Sequence, residues 1–205
     1  MSWVSSKIYD RVMADTEEAA LGEWRRELLS QAGGKVLEVG AGTGVNLPLY
    51  PSEVARLVIT EPDRHMRARL QEKGALPARA ELLADAVGEL RMKDESIDTV
   101  VCTLVLCSVA DPPAALRDLF RVLRPGGKLL FIEHVAADSN PGRLAWQRRI
   151  EPVWKRVAGN CHLTRNTTAE IERAGFELAS VRRESLRKAL PWVRPSVRGV
   201  AVKPG

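Results

Sequence analysis

The chain has 205 residues, 45% of them hydrophobic and 28% charged, which is enough to bury one sizeable core. Its three cysteines form no disulfide framework and no CxxC metal pair, and no apolar run is long enough to cross a bilayer. Neither secretion nor a membrane span is indicated by the mixed opening "MSWVSSKIYDRVMADTEEAA", so a reducing cytoplasm is the expected setting.

Residues 7–31 read as one or two helices ahead of the first strand, with Ile8 and Val12, and Tyr9 and Met13, at i, i+4 spacing. From there short β-rich runs alternate with helical patterns, the signal for parallel strands joined by crossover helices. "KVLEV" (35–39), "RLVIT" (56–60), "AELLA" (80–84), "DTVVCTLV" (98–105) and "GKLLFIEHV" (127–135) are the predicted strands. Several are apolar throughout, as expected of strands covered on both faces. Between them lie predicted helices at Arg64 to Lys73 and Pro112 to Leu123. The second has Asp111 as N-cap, Pro112 at its first position and "RPGG" as its breaker. Residues 143–157 and 167–175 read as two more helices, the last ended by Gly175. Then the rhythm changes: "FELASVRRES" and "VRGVAVK" are strand candidates separated by "ALPWVRP" with no helix between, a terminal antiparallel pair. One α/β domain covering 1–205 is expected, with a helical cover (1–33), a core (34–137) and an acceptor side (138–205).

The positive charge gathers late in the chain. Arg143, Arg148, Arg149, Lys155, Arg156 and Arg165 stand against Glu151 alone between 143 and 165, and six more arginines and lysines follow between 182 and 198. Such a half suits an anionic membrane, a nucleic acid, an acidic substrate or simply water. No aromatic-interleaved RNA motif or DNA-reading module supports a specific nucleic-acid partner. Arginines interleaved with Leu144, Trp146, Ile150, Val153 and Trp154 give the 143–157 helix a cationic and an apolar side, so weak peripheral contact with anionic membranes is expected.

The chemistry sits in "LEVGAGTG" (37–44). Glycines at 40, 42 and 44 make GxGxG; a dinucleotide fingerprint would need glycine at 45, where Val45 stands. A pyrophosphate asks for backbone N–H donors at a helix N-terminus. S-adenosylmethionine instead carries a sulfonium and an ammonium, which favour a carboxylate such as Glu38, and Gly40, Gly42 and Gly44 let the backbone approach. Glu61, followed by Pro62, ends the second strand about twenty residues on, where a carboxylate grips ribose hydroxyls. Asp85, followed by Ala86, ends the third, placed to accept from an adenine amino group.

"EVGAGTG", Glu61, "DA" at 85–86 and "LRPGGKLLF" together resemble the class I S-adenosylmethionine-dependent methyltransferases across almost the whole chain. That resemblance implies a Rossmann-like α/β sheet of seven strands in order 3-2-1-4-5-7-6 with strand 7 antiparallel. "VVCTLVLCSV" (100–109), "EHVA" (133–136) and "EPVWKRVAGNCHLTR" (151–165) further resemble the methyltransferase-like alkyl thiol methyltransferases. Animal members of that family carry an N-terminal hydrophobic anchor. No such segment is read in "MSWVSSKIYD", so anchoring is not carried over. "ADPPA" (110–114) is similar to the (D/N)PP-aromatic signature of amide methyltransferases, but Ala114 replaces the stacking aromatic and the motif is read as a helix start.

By the open-sheet rule the ends of strands four and five face the ligand crevice, which brings Thr103, Leu104, Glu133 and His134 to the methyl group. His134, Glu133 and His162 are the catalytic candidates, with strand-end capping as the alternative for His134. Cys107 and Cys161 either line the acceptor pocket or are buried and inert. Trp3, Trp146 and Trp154 are an apolar wall or packing anchors. Tyr9 is placed over the cofactor. The expected function is methyl transfer to a small lipophilic acceptor, a thiol by preference. A quinone ring, a phospholipid headgroup and a non-catalytic cofactor-binding protein are the alternatives. No metal and no particular oligomeric state is read from the sequence.

Overall fold

The computed structural model describes residues 13–74 and 76–205. Seven strands form one sheet: β1 (Gly34–Val39), β2 (Val54–Thr60), β3 (Ala80–Leu83), β4 (Ile97–Thr103), β5 (Leu123–His134), β6 (Glu177–Ser185) and β7 (Pro195–Val202). Their order is β3-β2-β1-β4-β5-β7-β6. β1 runs parallel to β2 and β4, while β7 runs antiparallel to both β5 and β6. This is the expected class I methyltransferase topology, terminal pair included. Among the described residues five α-helices flank it: α1 (Gly22–Leu29), α2 (Arg64–Glu72), α3 (Pro112–Val122), α4 (Pro141–Val157) and α5 (Thr167–Arg173).

The all-apolar strands follow from two cores, one on each face. Val36, Ile59, Leu130 and Ile132 pack on one side with Leu21, Leu28 and Leu29 from the N-terminal helices. Leu37, Val58, Val100, Leu129 and Phe131 pack on the other with Leu116 and Leu119 of α3. Adjacent residues of the central strands β1, β2, β4 and β5 therefore enter opposite cores, and neither can be polar without a partner.

Helix starts are set by side chains that accept from the first free amides. Asp63 accepts from His65 and Met66 N–H, Asp111 from Ala114 N–H, and Asn140 from Arg143 N–H. Several boundaries differ from expectation; β5 begins at Leu123, four residues early, and takes in the "RPGG" expected as a breaker. β4 stops at Thr103 rather than 105, because Leu104 has φ of +59° and turns the chain out of the sheet. α4 begins at Pro141, two residues early, because Asn140 caps it and Pro141 needs no amide partner. The first helical segment also has a π-helical turn, Glu17–Leu21, before α1. Trp3, Ile8, Tyr9 and Val12 lie outside the described residues.

Candidate active site

The loop after β1 forms the floor of a crevice at the C-terminal ends of β1, β2 and β4. Gly40 has φ of +62°, and a Cβ there would come 2.7 Å from Val105 Cγ2, so the loop after β4 closes directly against it. A Cβ on Gly42, at φ +59°, would meet nothing within 4 Å. The backbone at Gly42 thus borders open space of the kind a nucleoside needs, with a carboxylate next to it: Gly42 N–H donates to Glu61 Oε2 at 2.7 Å. Glu61 Oε1 accepts from Asp63 N–H at 2.8 Å, leaving lone pairs on both oxygens for hydroxyl donors. Burial pushes the Glu61 carboxyl up, against the pull of those two amides.

Glu38 lies beneath the loop. Its carboxylate is buried and accepts from Asn46 Nδ2 and from Tyr50 OH, both at 2.9 Å. Arg25, from α1, donates to Asn46 Oδ1 at 2.9 Å and to Thr103 Oγ1 at 2.8 Å, and pairs with Glu17 at 3.2 Å. The N-terminal helices, β1 and the end of β4 are joined by this one polar network. Desolvation pushes the Glu38 carboxyl up to about 7, although Tyr50, Asn46 and Arg25 all favour its charge. A cation arriving nearby would therefore find an acid ready to ionise. Thr103, expected at the methyl group, has its hydroxyl engaged with Arg25 and Asn46. Leu104 N–H donates to Ile132 O at 2.7 Å, tying the ends of β4 and β5 together.

Asp85 stands at the end of β3 as expected, but its carboxylate is engaged. Arg91 Nη2 donates at 2.6 Å and Arg91 N–H at 3.1 Å, and the guanidinium holds the Asp85 carboxyl below the usual range. The Arg91 side chain is 82% exposed, so its guanidinium has water to turn to when it leaves this carboxylate. Pro62 is exposed and Ala86 half-buried beside their acids.

On the acceptor side Glu133 is a correction. It is fully buried, and its carboxylate accepts from the backbone N–H groups of Val105, Leu106 and Cys107 at 3.0, 2.9 and 2.9 Å. It holds the loop after β4 in place and presents no open face to a reactant. Arg165 clamps the same loop from outside, donating to the carbonyls of Leu106 and of Val109 (2.6 Å). His134, the next residue on β5, turns the other way, with Nδ1 3.5 Å from Cys161 Sγ. Its Nε2 is buried without a hydrogen-bond partner among the described residues. Cys107 completes the group, and its hydrogen bond holds the Cys161 thiol below the ordinary cysteine value. His162 N–H donates to Cys107 O at 2.7 Å, while its ring leans on Glu151 at 3.5 Å; desolvation, with Arg165 and Lys155, lowers its pKa. The structure thus brings His134, Cys107 and Cys161 together and leaves the His162 ring facing α4.

Trp146 and Trp154 both pack on Trp192, at ring separations of 6.2 and 5.9 Å. Trp146 and Trp192, with Arg149, Ile150 and Val153, line an open groove of about 570 Å³. Trp192 belongs to the "ALPWVRP" stretch, whose only sequence signal was a tryptophan between prolines. Arg25, Asn46 and Tyr50 had no signal beyond their residue types.

Residues 13–181 match the family described as "Methyltransferase domain". The chain is 41% identical over 192 residues to the thiol S-methyltransferase TMT1B of Homo sapiens, covering 87% of this chain and 78% of that one. It is 38% identical over 112 residues to a phosphatidylethanolamine N-methyltransferase of Cereibacter sphaeroides, covering 53% and 55%. Among solved structures, the N-methyltransferase NodS of Bradyrhizobium japonicum superposes with a TM-score of 0.69 at 15% identity, over 93% and 98% of the two chains, a likeness of fold. Topology, glycine loop and relatives agree: the chain belongs to the class I S-adenosylmethionine-dependent methyltransferases, in the family that includes the thiol S-methyltransferases.

Proposed function

We propose that the chain methylates the sulfur of a small, lipophilic thiol. One observation carries the reading: similarity to thiol S-methyltransferases runs over 87% of the chain, whereas similarity to the phosphatidylethanolamine enzyme covers 53%. Glu61, the Gly42 backbone and Asp85, once Arg91 is displaced, are the groups that would hold the nucleoside, with Glu38 beneath them as the acid for the amino-acid end. When bound, S-adenosylmethionine supplies a methyl carbon on a positively charged sulfur, so the products are a thioether, S-adenosylhomocysteine and a proton.

The protein's part is alignment and enclosure. Holding two reactants in line accounts for about 7–11 kcal/mol of such a barrier. Three amides on one buried carboxylate and an arginine clamp fix the loop after β4, which is the wall between the two reactants. A thiol of pKa about 8.5 is already partly ionised near neutral pH, so no strong base is required. The test is conversion of S-adenosylmethionine to S-adenosylhomocysteine with alkyl thiols, quinols and phosphatidylethanolamine offered separately, the methylated product identified by mass. Turnover of thiols is expected. Turnover of a quinol or of the phospholipid, with none of any thiol, would overturn the reading.

A further inference from the structure

We infer that Cys107, His134 and Cys161 form a binding site for one thiolate-seeking cation of the zinc class. The three residues come from three separate places in the chain: the loop after β4, the last residue of β5 and the loop after α4. Their ligand atoms nevertheless lie within 4.8 Å of one another. That spread is small enough for one ion to be shared by all three. With metal–sulfur and metal–nitrogen distances of about 2.3 and 2.05 Å, a tetrahedral site puts sulfur and nitrogen about 3.6 Å apart and two sulfurs about 3.8 Å apart. Cys161 Sγ and His134 Nδ1 stand at 3.5 Å.

The surroundings fix these atoms rather than leaving them to chance. Cys107 N–H is held by Glu133, and Cys107 O accepts from His162 N–H, so the residue is anchored at both backbone groups. Asn160 Nδ2 donates to Ser108 O at 2.8 Å, which ties the Cys161 loop to the Cys107 loop. His134 is anchored by the β5–β7 register opposite Ser196. Among the described residues the imidazole is met by sulfur alone, Cys161 Sγ at 3.5 Å from Nδ1 with the Cys107 thiol beside it, while Nε2 is buried without a partner. A cation on Nδ1 would give that lone pair a strong partner. The site also lies beside the buried Glu133, whose carboxylate accepts from Cys107 N–H at 2.9 Å.

Two thiolates and an imidazole select soft or borderline ions over magnesium and calcium, and three protein ligands leave the fourth position to an exogenous one. Uptake of a divalent ion by two thiols and a neutral imidazole would release two protons. In this arrangement His134 is a ligand rather than a proton acceptor.

Cobalt(II) titration of the reduced 205-residue chain is the test, read by absorbance. One equivalent should produce a thiolate-to-cobalt charge-transfer band with the visible bands of tetrahedral cobalt, and zinc should bleach them. Cys161→Ser and His134→Ala should each weaken or shift the spectrum, while Cys102→Ser, which alters a buried cysteine outside the group, should keep it. Circular dichroism checks that each variant is folded. The inference is overturned if the folded, reduced chain gives no charge-transfer band, or if the Cys107→Ser/Cys161→Ser double variant keeps it. It is also overturned if intact mass shows Cys107 and Cys161 joined as a disulfide in preference to taking up cobalt.

Discussion

Glu38→Gln is the perturbation that separates the role of the buried acid from its shape. In the ligand-free protein desolvation sets the Glu38 carboxyl near 7, and the ammonium-bearing cofactor favours its ionised form. If only ionised Glu38 supports binding, the apparent Kd is multiplied by 1 + 10^(7 − pH), which is about 1.1 at pH 8, about 2 at pH 7 and about 11 at pH 6. Affinity for S-adenosylhomocysteine should thus fall about tenfold between pH 8 and pH 6, or ~1.4 kcal/mol. Stability of the ligand-free chain should move the other way. A carboxyl raised from 4.5 to about 7 binds its proton more tightly folded than unfolded, so its cost is relieved as pH falls from about 7 toward 4.5, by up to about 3 kcal/mol. Calorimetric titration at pH 6, 7 and 8, in buffers of different ionisation enthalpy, reads both the affinity and the proton released. Glu38→Gln should flatten the binding slope. A wild-type Kd constant across this range, or an unchanged slope in the variant, would refute the reasoning.

Glu61→Ala should weaken S-adenosylhomocysteine binding by about 1–3 kcal/mol, the scale of lost hydrogen bonds to a charged group, measured by the same calorimetry; an unaltered Kd would place the ribose elsewhere. Glu133→Ala should lower thermal stability by about 3 kcal/mol, since two buried amides and a part-buried one lose their acceptor. Differential scanning calorimetry showing no drop in Tm would mean the loop after β4 is held without it. The exposed Arg148, Arg149 and Arg156 beside Trp146, Val153 and Val157 should bind anionic vesicles at low salt and release them as salt rises. No co-sedimentation at low salt would leave this face in water. Asn140→Ala should cost about 1 kcal/mol through loss of the α4 cap, visible as a lower urea midpoint.

Much of the fold was legible because each strand carries its own signal. Runs such as "RLVIT" and "KLLFIEHV" bury both faces, so their apolar continuity marks them without reference to distant residues. The same continuity misled at Leu104 and Val105, where hydrophobicity persists but the backbone has left the sheet. In the site, the acids at 38, 61 and 85 were found because strand ends are predictable. Their partners were not, since Arg25 reaches Thr103 across 78 positions and Asn46 reaches back to Glu38 around the glycine loop. The Glu133 side chain could be placed at the right edge of the sheet, but its direction depends on three amides of another strand's loop. The Cys107–His134–Cys161 group has intervals of 27 residues on each side, far from any ligand-spacing pattern, and no search for local motifs would join them. Among the described residues no helix is long and apolar enough to cross a membrane.

The contact between Gly40 and Val105 gives the two halves of the site a common wall. Val105 can sit there only because residue 40 has no side chain, and its own amide is fixed to Glu133. Under the proposed function, displacement of that loop by an acceptor would displace the surface proposed to hold the nucleoside. Two ligands that share a wall share a free energy: the factor by which one changes the other's affinity must be the same in both directions. Acceptor analogues and S-adenosylhomocysteine should accordingly bind non-independently, with one coupling constant obtainable from either order of addition.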